Sequence, residues 1–181
     1  HTLHENICHS NLSIVTDSQL RSPKNIGSLD HFAETTDISV SELLEQLPSA
    51  FQNYIRRKIN DQRKMYLKKH GNDTNFRCLL WIKRIELDTT KTEYTIPSHQ
   101  DDWDNITLIN LQWKNIDIRY TFNGETTHEY GPEETLSFNP KIPHAVDFTK
   151  QLPNKKAMRL LVQLVSCDLH ERLEYLMNAR Y

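Results

Sequence analysis

Several things are missing from this sequence, and each absence removes a class of function. No apolar run approaches the roughly 18–20 uninterrupted residues that a membrane helix needs. The first residues mix His, Glu, Asn and Ser, without the apolar stretch of a signal peptide. Cysteine is scarce: Cys8, Cys78 and Cys167 are odd in number and far apart, with no CxxC pair. That argues against a disulfide framework or a structural zinc site, and the simpler expectation is a reducing, cytoplasmic environment. Neither sign of charge dominates. The formal net charge is −2, which argues against a dedicated nucleic-acid binder. There is no GxSxG nucleophile turn and no GxxxxGK[ST] phosphate loop. Glu133 and Glu134 are adjacent, so an extended chain sends them to opposite sides and they cannot form a paired-carboxylate site.

What is present suits one globular domain. The 181 residues are 37% hydrophobic and 25% charged, enough for a single core. Residues 1–38 read as a partly irregular arm, and 39–181 as one catalytic domain. In that domain helices fill 39–70, a β core 76–167, and a C-terminal helix 168–179. Ser39 and Glu42 have capping-box spacing at a helix start. Phe51, Ile55 and Ile59, with Tyr66 and Leu67, form the apolar stripe of a long helix that Gly71 ends in a left-handed turn. Its other face carries Arg56, Arg57, Lys58, Arg63, Lys64, Lys68 and Lys69 and reads as a solvated surface.

After Gly71 the pattern changes to short apolar and β-branched runs at 76–87, 92–96, 105–113, 116–122, 125–130, 134–138 and 158–166. Asn123-Gly124 marks a tight hairpin, because both residues accept positive φ. Ile116, Ile118, Tyr120 and Phe122 alternate with polar residues, as on a strand with one buried face. About seven short strands with tight turns predict a sandwich or barrel, mainly β, with flanking helices packed outside.

One segment carries chemistry. His99 and Asp101 lie two apart in Pro97-Ser-His-Gln-Asp-Asp-Trp103, and His144 follows 45 residues later in Pro143-His-Ala-Val146. In a rolled sheet the chain can return to its starting point over that interval. Two histidines and a carboxylate can form a facial triad, which leaves the opposite side of a metal open. Asp102 is the alternative carboxylate, or a group that orients a ligand histidine. On the last strand Arg159, Leu161, Gln163 and Val165 share one face. Arg and Gln among apolar residues suit a barrel interior that holds a charged ligand, and the fork of Arg suits a carboxylate.

The HxD pair, the distal His in Gly131-Pro-Glu-Glu-Thr-Leu-Ser-Phe138-Asn-Pro140-Lys-Ile-Pro143-His144-Ala-Val146, and Met158-Arg159-Leu160-Leu161 resemble the Fe(II)/2-oxoglutarate-dependent oxygenases. The resemblance covers roughly residues 76–167. It implies a double-stranded β-helix, the jelly-roll barrel shared with the cupins, here supported by N-terminal helices. It implies Fe(II) on His99, Asp101 and His144, with 2-oxoglutarate reaching Arg159 and O2 as oxidant. Gln112-Trp113-Lys114 is similar to the subgroup that anchors 2-oxoglutarate through lysine, so Lys114 competes with Arg159. The expected substrate is a small molecule or an exposed side chain, oxidised at a C–H bond. Two alternatives stand beside this: a cupin-type isomerase or dioxygenase that does not use 2-oxoglutarate, and a non-catalytic β-barrel binding module.

Overall fold

A computed structural model describes residues 28–32, 49–87, 89–171 and 174. The long apolar stripe forms helix α1, Ser49–His70. It buries Phe51, Ile55, Gln62 and Tyr66, whereas Leu67 of the expected stripe is exposed. Gly71 ends the helix at φ +84°, and its N–H donates to the Leu67 carbonyl. The capping box at Ser39 lies outside the described residues.

Nine strands are described: β1 (Ser28–Phe32), β2 (Phe76–Leu87), β3 (Glu93–His99), β4 (Asn105–Lys114), β5 (Ile116–Phe122), β6 (Thr126–Tyr130), β7 (Thr135–Phe138), β8 (His144–Lys150) and β9 (Ala157–Asp168). They form a five-stranded sheet, β1-β2-β9-β4-β7, and a four-stranded sheet, β3-β8-β5-β6, with every pairing antiparallel. From β2 onward successive strands alternate between the sheets until the β5–β6 hairpin reverses the path. This is the double-stranded β-helix, a jelly-roll barrel of the cupin kind. Asn123 and Gly124 take φ +55° and +70° at the hairpin, as the tight turn requires.

Two strands depart from the sequence expectation. Ser28–Phe32, placed in the irregular arm, pairs with β2 as an edge strand. His144–Lys150 is a full strand between β3 and β5. At the C-terminal end Asp168 caps a helical turn by accepting from the N–H of Glu171 at 2.8 Å. The rest of that helix lies outside the described residues, and no described helix is long and apolar enough to cross a membrane.

The barrel core is built from inward residues of both sheets, among them Leu79, Ile106, Leu108, Ile118, Phe148 and Val165. Helix α1 covers the outer face of the larger sheet, against β2 and β9. One polar residue fastens it there. Gln62, fully buried, donates to Asn105 Oδ1 at 3.3 Å, Thr107 Oγ1 at 3.1 Å and the Leu164 carbonyl at 3.1 Å. Replacing Gln62 by Ala removes the amide donor from three acceptors, of which Asn105 Oδ1 keeps the Ser137 hydroxyl at 2.9 Å. The expected loss is about 1–3 kcal/mol in a urea-unfolding measurement, with the metal-site residues untouched. A loss below about 0.5 kcal/mol would mean that the Gln62 bonds contribute little to holding the helix on the sheet.

Candidate metal centre

Pro97 sits where β3 reaches the mouth of the barrel. β3 is an edge strand, so the missing proline N–H breaks no inner ladder. Ile96 pairs with Val146 and His99 with His144, so β3 carries one extra residue between them. This bulge changes which side chains face inward. Tyr94 and Ile96 line the interior, and strict alternation would turn Ser98 inward and His99 outward. The extra residue brings His99 in instead.

His99 and His144 therefore face each other, with ring centroids 4.3 Å apart. Asp101 Oδ2 lies 3.6 Å from His99 Nε2 and 3.5 Å from His144 Nε2. These separations are too long for hydrogen bonds and are near those of donors sharing one ion: adjacent octahedral ligands at about 2.1 Å from a metal lie about 3 Å apart. One ligand atom from each residue falls within 4.8 Å of the others. Each histidine is held from behind. His99 Nδ1 lies 2.9 Å from the Pro97 carbonyl, and His144 Nδ1 lies 2.8 Å from the Ile142 carbonyl. Those carbonyls can only accept, so Nδ1 carries the proton and Nε2 offers its lone pair to the gap.

The two ligand-bearing loops are stitched together. The Asp101 N–H donates to the Pro140 carbonyl at 2.9 Å, and Gln100 Nε2 donates to the Lys141 carbonyl at 2.9 Å. Asp104 ties both loops to α1, with contacts to Lys69 at 2.8 Å, His70 at 2.7 Å and Lys141 at 3.4 Å. Burial opposes ionisation of Asp104, but Lys69 and His70 outweigh it and hold its carboxyl below the ordinary range. Burial likewise opposes a charged His144, which is 4% exposed. The Asp101 carboxylate and the Ile142 carbonyl prevail, and the histidine pKa lies above its usual value. A proton and a metal would thus compete for the same Nε2. Asp102 is exposed and outside the cluster.

Arg159 lies deeper in the same cavity of about 390 Å³ and is 1% exposed. Its Nε donates to Asn110 Oδ1 at 3.2 Å, and its Nη1 to the Tyr120 hydroxyl at 3.1 Å. Nη2 is buried with no hydrogen-bond partner, and no carboxylate among the described residues pairs with the guanidinium. Tyr130, 4.8 Å away, and Trp113, at 5.9 Å, present their ring faces to it.

Lys114 is exposed at the end of β4 and does not line this cavity. The reason is a second bulge. β4 gains a residue between Asn110 and Gln112, so Trp113 stands opposite Arg159 and Lys114 opposite Met158. His128, on β6, pairs with Glu134 at 2.7 Å, away from the triad. Sequence reading missed Asn110 and Tyr120, although the alternation along β5 already turns Tyr120 inward.

Fold and site together define a cupin-type β-helix protein with a His–Asp–His cluster able to hold a metal ion. Solved structures are similar at the level of fold. An IDO from Bacillus thuringiensis superposes with a TM-score of 0.56 at 14% identity, over 91% of this chain and 87% of that one. An Fe(II)/α-ketoglutarate-dependent dioxygenase, TqaL, gives 0.49 at 12% identity, over 78% of this chain and 62% of that one. A cupin superfamily protein from Desulfitobacterium hafniense DCB-2 gives 0.35 at 13% identity, over 52% of this chain and 80% of that one. No protein-family model and no curated protein sequence matches the chain.

Proposed function

We propose that the protein is an Fe(II)- and 2-oxoglutarate-dependent oxygenase, with His99, Asp101 and His144 as metal ligands and Arg159 as the cosubstrate anchor. The observation that carries this reading is Arg159. A buried guanidinium with an unpartnered Nη2 and no acidic partner among the described residues calls for an anion. It borders the same cavity as three metal-type donors, so a ligand reaching both needs a carboxylate at one end and chelating oxygens at the other. 2-Oxoglutarate has that constitution.

The donor set suits the metal. Two neutral imidazoles and one carboxylate favour a divalent first-row ion, and as three ligands on one face they leave positions open. When bound, Fe(II) with 2-oxoglutarate supplies oxygen activation, which drives oxidation of a C–H bond as the cosubstrate becomes succinate and CO2. The protein's own residues do the rest. The Pro97 and Ile142 carbonyls keep the Nε2 lone pairs aimed at the metal position. Asn110 fixes the plane of the guanidinium. Tyr120 accepts from Nη1, so its own hydroxyl hydrogen is left to donate to the incoming carboxylate. Ile96, Leu108, Val146 and Leu161 keep the wall apolar, which strengthens each of these electrostatic contacts.

The test is anaerobic. Fe(II) and then 2-oxoglutarate are added to metal-free protein, and the visible charge-transfer band of a chelated 2-oxo acid is followed. A saturable band is the expected result. Metal uptake without the band would favour a cupin-type enzyme whose substrate meets Arg159 directly. No metal uptake would leave the binding-module reading.

A further inference from the structure

Arg159 is not the only polar side chain of β9 that faces the cavity. Gln163 follows it by four residues on β9, on the same inward face, and both line the cavity. Gln163 is 7% exposed, yet its carboxamide makes no hydrogen bond to any described residue. Its amide atoms face the open cavity, since Arg159 Nη2 is the one fully buried side-chain N or O atom without a partner among the described residues, and Leu or Met would make that stretch of wall apolar. The position therefore makes sense as part of a binding surface.

The atoms of 2-oxoglutarate do not account for it. In the oxygenase reading, on which this inference rests, the far carboxylate meets Arg159, and the near carboxylate and keto oxygen face the triad. Each end of the cosubstrate is then held, one at Arg159 and the other at the triad. Roughly 13 Å of extended strand separates Arg159 from Gln163. The amide is left for a second molecule, the one to be oxidised.

The walls restrict what that molecule can be. The side chains of Asp, Glu, His, Lys or Arg lining the cavity are His99, Asp101, His144 and Arg159, and in the oxygenase reading metal and cosubstrate take all four. The lining is otherwise mostly apolar, with Ile85, Ile106, Leu108 and Phe138 among it. A charged group carried inside would be buried unpaired, at a cost of several kcal/mol. An amide offers one donor face and one acceptor face, which suits an uncharged group of the same kind. We infer that Gln163 is the substrate-selecting residue, and that the group it receives is a neutral amide or hydroxyl on a small apolar frame.

The test uses full-length protein loaded anaerobically with Fe(II) and 2-oxoglutarate, as wild type and as Gln163→Met. That substitution keeps the length of the side chain and removes both polar atoms. Butyramide, butyrate and butylammonium serve as probes of equal size, with binding read by calorimetry. Butyramide should bind Gln163→Met about tenfold more weakly than wild type. The other two should bind the two proteins alike, since a carboxylate that finds an open metal position does so in both. Because the amide faces the open cavity and bonds no described residue, its removal should leave Tm within about two degrees of wild type. Equal butyramide binding to both proteins, or a loss confined to the charged probes, would overturn the inference. So would a fall in Tm with unchanged probe binding, which would mark Gln163 as structural. The cosubstrate band separates the two levels. If wild type gives no band, the oxygenase reading fails and the inference with it. If both proteins give the band but bind butyramide equally, the inference fails alone.

Discussion

His144→Ala is expected to lower Fe(II) affinity by more than a hundredfold and to abolish the 2-oxoglutarate band. His144 supplies the most buried of the three donors, 4% exposed beside Asp101, and its Nδ1 faces a carbonyl, so the ring cannot turn to offer the other nitrogen without losing that contact. Loss of a residue that merely orients a ligand typically costs 10–100-fold in metal affinity, so loss of a ligand should exceed that range. Two controls separate the triad from the other candidates. Asp102→Asn should bind metal like wild type, because that residue is exposed and outside the cluster. His128→Ala should do the same, since its partner is Glu134. Anaerobic titration with Fe(II) measures all three. Retention of wild-type affinity by His144→Ala would remove the metal centre from the account.

The parts of this site that were legible in the sequence are those that obey strict periodicity. β9 is regular over twelve residues, so the inward face of Arg159, Leu161 and Gln163 follows from counting in twos. Asn123-Gly124 announces its turn because few residues tolerate positive φ. The parts that alternation alone misplaces lie at the two bulges. In β3 the extra residue near Pro97 turns His99 inward; a strict alternation from Tyr94 and Ile96 would have placed it outside. In β4 the extra residue near Leu111 sends Lys114 outward and Trp113 inward. A bulge leaves no compositional mark here, and one inserted residue inverts every inference downstream of it. β1 escaped for another reason. Ser28–Phe32 is short, and its adjacent Asp30 and His31 break the alternation of a half-buried strand; its strand character comes from the free edge of β2, which no local window contains. Gln62 was hidden in the same way, because its burial depends on acceptors in β4 and β9 distant in sequence.

Arg159→Met is expected to weaken 2-oxoglutarate binding by at least about thirtyfold while leaving Fe(II) affinity within about twofold of wild type. Removing one partner of a buried, hydrogen-bonded charge pair typically costs about 2–5 kcal/mol, which spans roughly 30-fold to several thousandfold. Metal affinity should hold because Arg159 touches Asn110, Tyr120 and two aromatic faces, and none of the triad. Stability should move the other way. In the ligand-free protein the guanidinium is buried without a counter-charge, and the ring faces of Tyr130 and Trp113 offset only part of that cost, about 0.5–2 kcal/mol each. An apolar side chain of similar length removes the penalty, so Arg159→Met should unfold at the same or higher Tm without ligand. Its Tm should then fail to rise with added 2-oxoglutarate, whereas wild type gains in proportion to ln(1 + [L]/Kd). Lys114→Ala should behave as wild type in every one of these measurements, since Lys114 is exposed and off the cavity wall. A destabilised Arg159→Met that still binds 2-oxoglutarate would make Arg159 a core residue satisfied by its rings. The opposite pair of results, more stable and unable to bind, has a single physical origin: a buried charge maintained by the fold for an anion that arrives from outside.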